Sequence, residues 1–187
     1  MTTVGVLALQ GDVREHLGIL ESLGVSAVAV KHADQLEEVD ALVLPGGEST
    51  TIVKMALRFD LFEPLRVAIS AGLPTYGTCA GMIVLAGALT EGDQPLLGCL
   101  DVVVKRNAFG RQNESFEADV EVDGLDQPFP AVFIRAPWVD KVGSEVEVLA
   151  TIDDHPVMVR QDHIMATSFH PELTGDSRIH EMLLETI

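Results

Sequence analysis

Cys79 stands in a setting that suits a nucleophile. It lies in the segment Gly77-Thr78-Cys79-Ala80-Gly81, between an apolar strand-like stretch and a helix-like stretch. A nucleophile on a sharp strand-to-helix turn needs small neighbours because the backbones crowd there, and the helix amino end favours a thiolate. A buried structural cysteine is the alternative, since free cysteines are among the most buried residues. Cys99 lacks this context and is expected to be structural.

A histidine and a glutamate two residues apart could supply the base that such a thiol needs. His170 and Glu172 lie at the end of a predicted strand, separated by a proline. Histidine titrates near neutral pH, and a carboxylate commonly fixes its tautomer. Because residues two apart point the same way on an extended chain, we expect Glu172 to orient His170. A solvated loop is the alternative for a lone His-x-Glu. The other histidines lack such a setting, and His16 is expected to be structural.

A glycine-rich loop is the third candidate for chemistry. The segment Pro45-Gly46-Gly47-Glu48-Ser49 follows the third predicted strand. Ligands of open α/β sheets bind beyond the carboxyl ends of the strands. Glycines there leave backbone N–H groups free to stabilise an oxyanion, together with the N–H of the residue after the nucleophile. A simple turn is the alternative. Together the three segments predict a thiol-dependent acyl transfer that needs no metal and no organic cofactor.

Strand-like and helix-like segments alternate in the first half of the chain. Strands are predicted at 3–9, 25–30, 41–44 and 74–78, and helices at 12–23, 50–71 and 80–89. We expect Asp12 and Glu15 to form a capping box on the first helix, which Gly24 ends. The second helical stretch is expected to break near Asp60 and Pro64. Strands and helices that alternate with short connections indicate a parallel sheet covered on both faces.

Strands follow one another in the second half of the chain. They are predicted at 116–122, 131–134, 146–152, 157–160 and 164–169, and a last helix follows Asp176. Such a run indicates an antiparallel extension of the parallel sheet. No repeat or linker is visible, so residues 1–187 are expected to form a single α/β domain.

The composition excludes some classes of binding partner and indicates the cellular compartment. The formal net charge is -17, which repels nucleic acid and anionic lipid, so neither is expected as a partner. No stretch approaches the roughly 18 apolar residues of a membrane span, and the first residues lack the features of a secretory signal. Two cysteines without a pairing pattern indicate free thiols in a reducing compartment. We therefore expect a soluble, cytoplasmic protein.

Six segments of the sequence resemble those of a known protein family. They are residues 9–11 with 15–16, 45–51, 77–81, 106–112, 134–137 and 169–172. In these segments, and over nearly the whole chain, the sequence resembles the class I, triad-type glutamine amidotransferases. The likeness implies a three-layer, flavodoxin-like α/β fold. It also implies hydrolysis of the side-chain amide of L-glutamine, which releases ammonia.

The resemblance assigns roles to individual residues. It makes Cys79 the nucleophile, His170 the general base and acid, and Glu172 the residue that orients His170. It implies that Gly47, Glu48, Ser49, Arg106, Ile134 and Arg135 contact glutamine, and that Gly47 and Ala80 donate to the oxyanion. An arginine suits the carboxylate of a free amino acid, and Glu48 could meet its ammonium.

The segments at 45–51, 106–112 and 134–137 point to one branch of this family. That branch implies a hetero-oligomer with a barrel-shaped synthase subunit, which uses the ammonia to make pyridoxal 5'-phosphate. It also implies a glutaminase that is weak until docked, and we expect docking to order the Gly46-Gly47 loop.

Three alternatives stay open. A glutaminase subunit that serves another nitrogen pathway would share the chemistry and differ in its partner. A stand-alone cysteine hydrolase would act without a partner and prefer larger substrates. A regulatory protein on the same fold usually lacks part of the triad, whereas all three candidates are present here.

Overall fold

A computed structural model describes residues 2–110 and 115–187 of the chain. Its central sheet contains β1 (Thr3–Leu7), β2 (Ser26–Val30), β3 (Ala41–Leu44), β4 (Thr75–Thr78), β10 (Glu147–Ile152), β11 (His155–Gln161) and β12 (Ile164–Thr167). The strand order is β10-β11-β12-β4-β3-β1-β2. The five strands from β12 to β2 pair in parallel, while β10 and β11 add an antiparallel edge.

Helices cover both faces of this sheet. They are α1 (Val13–Ser22), α2 (Ser49–Arg58), α3 (Phe62–Ser70), α4 (Ala80–Leu85) and α5 (Arg178–Leu184). Alternate residues of a strand face opposite sides, and β3 shows this directly. Leu42 and Leu44 pack with α2, α3 and α4, whereas Ala41 and Val43 pack with α1 and α5. The predicted α/β class, with a mostly parallel sheet and an antiparallel extension, is confirmed.

Two smaller sheets complete the described part of the chain. One contains β5 (Ala86–Leu89), β6 (Leu100–Lys105) and β9 (Trp138–Val142), and the other pairs β7 (Ser115–Val120) with β8 (Phe129–Ile134). The first packs on the face that carries α2, α3 and α4, and the hairpin packs on the opposite face. Short 3-10 helices lie at Ala33–Glu38 and Pro171–Leu173. No helix in these described ranges is long and apolar enough to span a membrane.

Several sequence-based expectations need correction. The helix predicted to reach residue 89 ends at Leu85, and the last four residues form β5. Strands β6 and β9 were not singled out by the sequence pattern. The expected capping box at α1 is absent, because Asp12 makes no side-chain bond to the helix and lies beside His170 instead.

The predicted break in the second helical stretch is confirmed. α2 ends at Arg58, α3 begins at Phe62, and Asp60 has a positive φ of 54° between them. Pro64 does not break the chain, since it lies in the first turn of α3, where a missing N–H removes no helical bond. The end of α1 is also as predicted, because Gly24 follows it with a φ of 79°.

Candidate active site

Cys79 occupies a strained turn between β4 and α4. Its φ is 46° and its ψ is -98°, a conformation that L residues rarely adopt and that costs about 1–3 kcal/mol. The cysteine N–H donates to the carbonyl of Thr167 on the neighbouring strand at 2.7 Å. This bond holds the turn against the centre of the sheet and places the sulfur at the carboxyl end of β4.

Close backbone packing around Cys79 requires glycine at positions 77 and 81. A Cβ at Gly77 would lie 2.8 Å from the backbone of Gly81, and a Cβ at Gly81 would lie 2.1 Å from the carbonyl oxygen of Leu44. The crowding expected from the Gly-x-Cys-x-Gly pattern is therefore present. Ala80 is the first residue of α4, so its N–H has no partner within the helix and points out of the amino end.

His170 and Glu172 form a buried pair next to this turn. The N–H of His170 donates to the carbonyl of Val132 at 2.8 Å, and Glu172 lies in the 3-10 helix that follows. Nδ1 of His170 is 2.7 Å from Oε1 of Glu172, and the Glu172 side chain has no exposed surface. Nδ1 is engaged by the carboxylate, so Nε2 is the ring nitrogen left for the Cys79 thiol, and both side chains line the same cavity.

The electrostatics favour a protonated His170 beside an ionised Glu172. Burial acts to lower the pKa of His170, but hydrogen bonds to Asp12, Cys79 and Glu172 outweigh it and raise that pKa well above 6.5. Burial likewise acts to raise the pKa of Glu172, but the nearby His16 imidazole and the hydrogen bond with His170 hold it well below 4.5. An imidazolium next to a sulfur stabilises the thiolate, which is the nucleophilic form.

Asp12 is a second carboxylate beside His170. One of its oxygens lies 3.4 Å from Nδ1 of the histidine, and the aspartate side chain is 35% exposed and lines the cavity. Asp12, His170 and Glu172 each offer a ligand atom within 4.8 Å of the others, which would be a possible cation site. The two buried members of this group, His170 and Glu172, already bind each other through the short hydrogen bond between Nδ1 and Oε1, so their proximity needs no cation.

The glycine-rich loop is tied to the start of α2. The carboxylate of Glu48 accepts hydrogen bonds from the N–H groups of Thr50 and Thr51 and from their hydroxyls. Although partial burial opposes it, this capping lowers the pKa of Glu48 to about 2. The N–H of Glu48 donates to Oε1 of Gln10 at 2.7 Å. The Glu48 side chain thus has a helix-capping role, and its predicted contact with glutamine stays a prediction.

The remaining predicted contacts surround one cavity of about 440 Å³. Its lining residues are Gln10, Asp12, Gly47, Glu48, Ser49, Cys79, Ile83, Arg106, Asn107, Ile134, Arg135 and His170. Arg106 lies 3.4 Å from the Glu48 carboxylate, and Arg135 adopts a left-handed φ of 43°. The structure therefore brings Cys79, His170 and the six predicted glutamine contacts to one cavity, with Glu172 behind His170.

Three residues of this site were not assigned to it from the sequence, although Gln10 lies in the quoted likeness and Asp12 was expected to cap α1. Gln10 and Asp12 follow β1, whose carboxyl end lies at the same sheet edge as those of β3 and β4, so topology could have pointed to them. Gln94 accepts a hydrogen bond from Ser49 at 3.0 Å, and it comes from a segment without a recognisable pattern. Arg111 and Gln112, which belong to the quoted likeness, lie outside the described residues.

A thiol, an imidazole and a carboxylate in this order, at the carboxyl edge of a parallel sheet, define a class of cysteine-dependent hydrolases. The family model of the SNO glutamine amidotransferases matches residues 6–187. The chain therefore belongs to the SNO glutamine amidotransferase family, and the likeness to class I glutamine amidotransferases is confirmed.

Relatives and solved structures agree with this placement. A pyridoxal 5'-phosphate synthase subunit PdxT from Parafrankia sp. strain EAN1pec is 60% identical, over 98% of this chain and 92% of its own. The PdxT subunit of Streptomyces coelicolor is 55% identical, over 98% and 93%.

A crystal structure of a glutamine amidotransferase superposes with a TM-score of 0.93 at 52% identity, covering 98% of this chain and 97% of the other. A chain of the PurLQS structure from Thermotoga maritima reaches a TM-score of 0.69 at 15% identity, over 100% of this chain and 96% of its own. That second likeness shows the fold alone.

Proposed function

We propose that this protein is the glutaminase subunit of a pyridoxal 5'-phosphate synthase. It hydrolyses L-glutamine to L-glutamate and ammonia and delivers the ammonia to the synthase subunit. The observation that carries the proposal is that Cys79 and His170 line one cavity together with several charged side chains, while Glu172 pairs with His170 at 2.7 Å. The names of relatives at 55–60% identity support the pathway.

The first half of the reaction transfers the γ-glutamyl group to sulfur. The Cys79 thiolate attacks the carboxamide carbon of glutamine and forms a tetrahedral oxyanion. In our proposal the N–H groups of Gly47 and Ala80 donate to this oxyanion. The intermediate collapses when the carbon–nitrogen bond breaks and the His170 imidazolium gives its proton to the departing amine. The products are ammonia and a γ-glutamyl thioester.

The second half returns the enzyme to its starting state. Neutral His170 takes a proton from water, and the resulting hydroxide attacks the thioester carbon. The carbon–sulfur bond breaks, glutamate leaves, and the thiolate and imidazolium are restored. Glu172 keeps Nδ1 of His170 protonated throughout, so Nε2 is the nitrogen that exchanges protons. These steps consume one water for each glutamine, and no metal or organic cofactor takes part.

The substrate contacts follow from the charges of a free amino acid. We propose that Arg106 and Arg135 hold the α-carboxylate, while Glu48, Ser49 and Ile134 complete the pocket. An arginine is suited to this role because its planar guanidinium matches the two oxygens of a carboxylate. Asp12 offers a partly exposed carboxylate in the same cavity. The ammonium of glutamine can therefore pair with Asp12 or with Glu48.

Docking to the synthase is proposed to complete the oxyanion site. In the isolated chain the N–H of Glu48 already donates to Oε1 of Gln10, and Gly47 is exposed in the loop. A partner that orders this loop would align its donors before reaction. We further propose that residues 1–187 act as one domain and that the protein is cytoplasmic, since a free catalytic thiol needs a reducing compartment.

The test is glutamate release from glutamine by the purified chain, with and without the synthase subunit of pyridoxal 5'-phosphate synthase. We expect release that the synthase stimulates and that Cys79→Ala abolishes, whereas Cys99→Ala, the matched control at the other cysteine, retains it. Release that ignores the synthase would refute the pathway and keep the glutaminase. Release that survives Cys79→Ala would refute the nucleophile.

A further inference from the structure

Two histidines lie buried behind Glu172, on the side away from the cavity. His16 comes from α1 and His180 from α5, and neither has any exposed surface. Nδ1 of His16 is 2.9 Å from Nε2 of His180, although the two residues are 164 positions apart in the chain. Nε2 of His16 is 3.3 Å from the Thr78 hydroxyl and 3.6 Å from Oε1 of Glu172.

The tautomer of His180 follows from its surroundings. Burial is the largest influence on the pKa of His180 and lowers it to about 3, against the opposing effect of Glu172. His180 is therefore neutral and carries a single proton. Its Nδ1 is buried without a hydrogen-bond partner among the described residues. A proton on Nδ1 would leave a buried N–H unpaired, so the proton belongs on Nε2, facing His16.

The tautomer of His16 follows from that of His180. When Nε2–H of His180 donates, Nδ1 of His16 must accept, and the remaining proton of His16 lies on Nε2. This N–H points toward Glu172 and Thr78. The opposite arrangement would place a nitrogen lone pair against a buried carboxylate and an unpaired N–H on His180, which are two unfavourable contacts.

Glu172 needs this donor. Its side chain is fully enclosed, and its Oε2 has no hydrogen-bond partner in the described ranges. Oε1 is therefore the oxygen that is held, by Nδ1 of His170 at 2.7 Å and by the more distant Nε2 of His16. A buried carboxylate stays ionised only with such donors, and the His16 imidazole, 3.6 Å away, is the largest influence that lowers the pKa of Glu172.

We propose that His16 and His180 are positioning residues for the glutaminase reaction. His180 sets the tautomer of His16, and Nε2–H of His16 holds Glu172 in the orientation that fixes His170. This inference rests on the proposed function and adds two residues behind the Cys79-His170-Glu172 set. It goes beyond the expectation that His16 is merely structural.

The other polar groups near His16 and His180 do not donate a hydrogen bond to Glu172. Tyr76 lies edge-on to both imidazoles, at 6.5 Å from His16 and 5.8 Å from His180. Its hydroxyl pairs with Thr167 at 2.9 Å, and burial raises its pKa well above 10, so it is neutral. Asp12 faces Nδ1 of His170 rather than Glu172.

The experiment compares four variants of the full chain in complex with the synthase subunit. His16→Gln places an amide N–H near the Nε2 position, whereas His16→Asn is too short to reach Glu172, and His16→Leu has no donor. Leu20→Ala is the matched control, because Leu20 is a fully buried residue of the same helix whose side chain has no hydrogen-bond donor. The kcat and KM for glutamine, the pH profile of kcat, and the thermal midpoint are measured for each.

We expect His16→Leu and His16→Asn to lower kcat about ten- to a hundredfold, the range for residues that orient a catalytic partner. KM should stay within about threefold, because neither histidine lines the cavity. The acid limb of the pH profile should move to higher pH, since Glu172 loses a donor that favours its ionised form. His16→Gln should recover most of kcat.

Equal kcat in His16→Gln and His16→Asn would overturn the proposal, and so would losses that only follow thermal stability as in Leu20→Ala. If His16→Leu does not fold, the Gln and Asn pair still decides the question. A wild-type complex that releases no glutamate would instead refute the proposed function, and an active wild type with fully active His16 variants would refute this inference alone.

Discussion

His180 is a buried imidazole whose protonation has a consequence for stability. Its pKa falls from 6.5 to about 3, chiefly through burial. Between these two values the unfolded chain binds a proton at this residue and the folded chain does not. The free energy of unfolding therefore falls as the pH is lowered from about 6.5 toward 3, by at most about 1.4 kcal/mol per pH unit from this group.

We expect His180→Gln to flatten this acid slope, because glutamine does not titrate. Urea unfolding at several pH values between 4 and 7 would measure it. His32→Gln is the control, since it makes the same replacement at an exposed histidine, and the acid slopes of the two variants are compared with that of the wild type. A slope in His180→Gln as steep as in the wild type would show that His180 is not the group responsible.

Local sequence predicted some site residues and missed others for a physical reason. Cys79 and His170 could be recognised because the features that mark them are close in sequence. These features are the turn glycines, the strand end and the nearby glutamate. Asp12 and His16 acquire their partners only through folding. Asp12 was expected to cap α1, but its carboxylate lies beside His170, a choice that only the tertiary arrangement of β1 and β12 allows.

At the scale of elements, the loop between β3 and α2 packs directly on His170. A Cβ at Gly46 would lie 2.4 Å from Cε1 and 2.8 Å from Nδ1 of that histidine. Gly46→Ala should therefore displace the ring or the loop, and a displacement of about 1 Å can lower the rate about a hundredfold. Steady-state glutaminase assays of the complex would measure the loss.

Gly18→Ala is the matched control for this substitution. Gly18 is a residue of α1, and a Cβ there meets nothing within 4 Å. Alanine should raise the free energy of unfolding by about 0.5–1 kcal/mol, because glycine weakens a helix interior, and it should leave kcat unchanged. Wild-type kcat in Gly46→Ala would contradict the close packing of this loop.

The elements themselves were predicted unevenly. β1 and β3 of the central sheet were recognised because both of their faces are buried, which produces continuous apolar runs. The helix after Cys79 was extended too far, since Ala86–Leu89 is as apolar as the helix before it and only its pairing with β6 makes it a strand. β9 contains Asp140 and Lys141 beside its buried Val139, so its pattern is weak.

At the scale of the whole molecule, the net charge of -17 should oppose folding through self-repulsion. Raising NaCl from about 10 to about 150 mM shortens the screening length from about 30 Å to about 8 Å. We expect the thermal midpoint at neutral pH to rise by roughly 2–4 °C, which corresponds to about 1 kcal/mol for a chain of this size. Differential scanning calorimetry would measure the shift.

A charge variant controls for specific ion effects. Glu37 and Glu38 are exposed at the end of a short 3-10 helix, and their joint replacement by lysine reduces the net negative charge. The salt-dependent rise should be smaller in that variant. A thermal midpoint that falls with salt, or a rise of equal size in both proteins, would show that long-range repulsion is not the cause.

The strand order also determines when the site can exist. β4, which carries Cys79, lies between β3 and β12, and β12 leads into the turn that carries His170 and Glu172. A ribosome that has translated only the first half of the chain has therefore made the proposed nucleophile without its proposed base. Under the proposed mechanism the nascent protein cannot hydrolyse glutamine until its last strands have emerged and inserted beside β4, so activity begins only when synthesis is nearly complete.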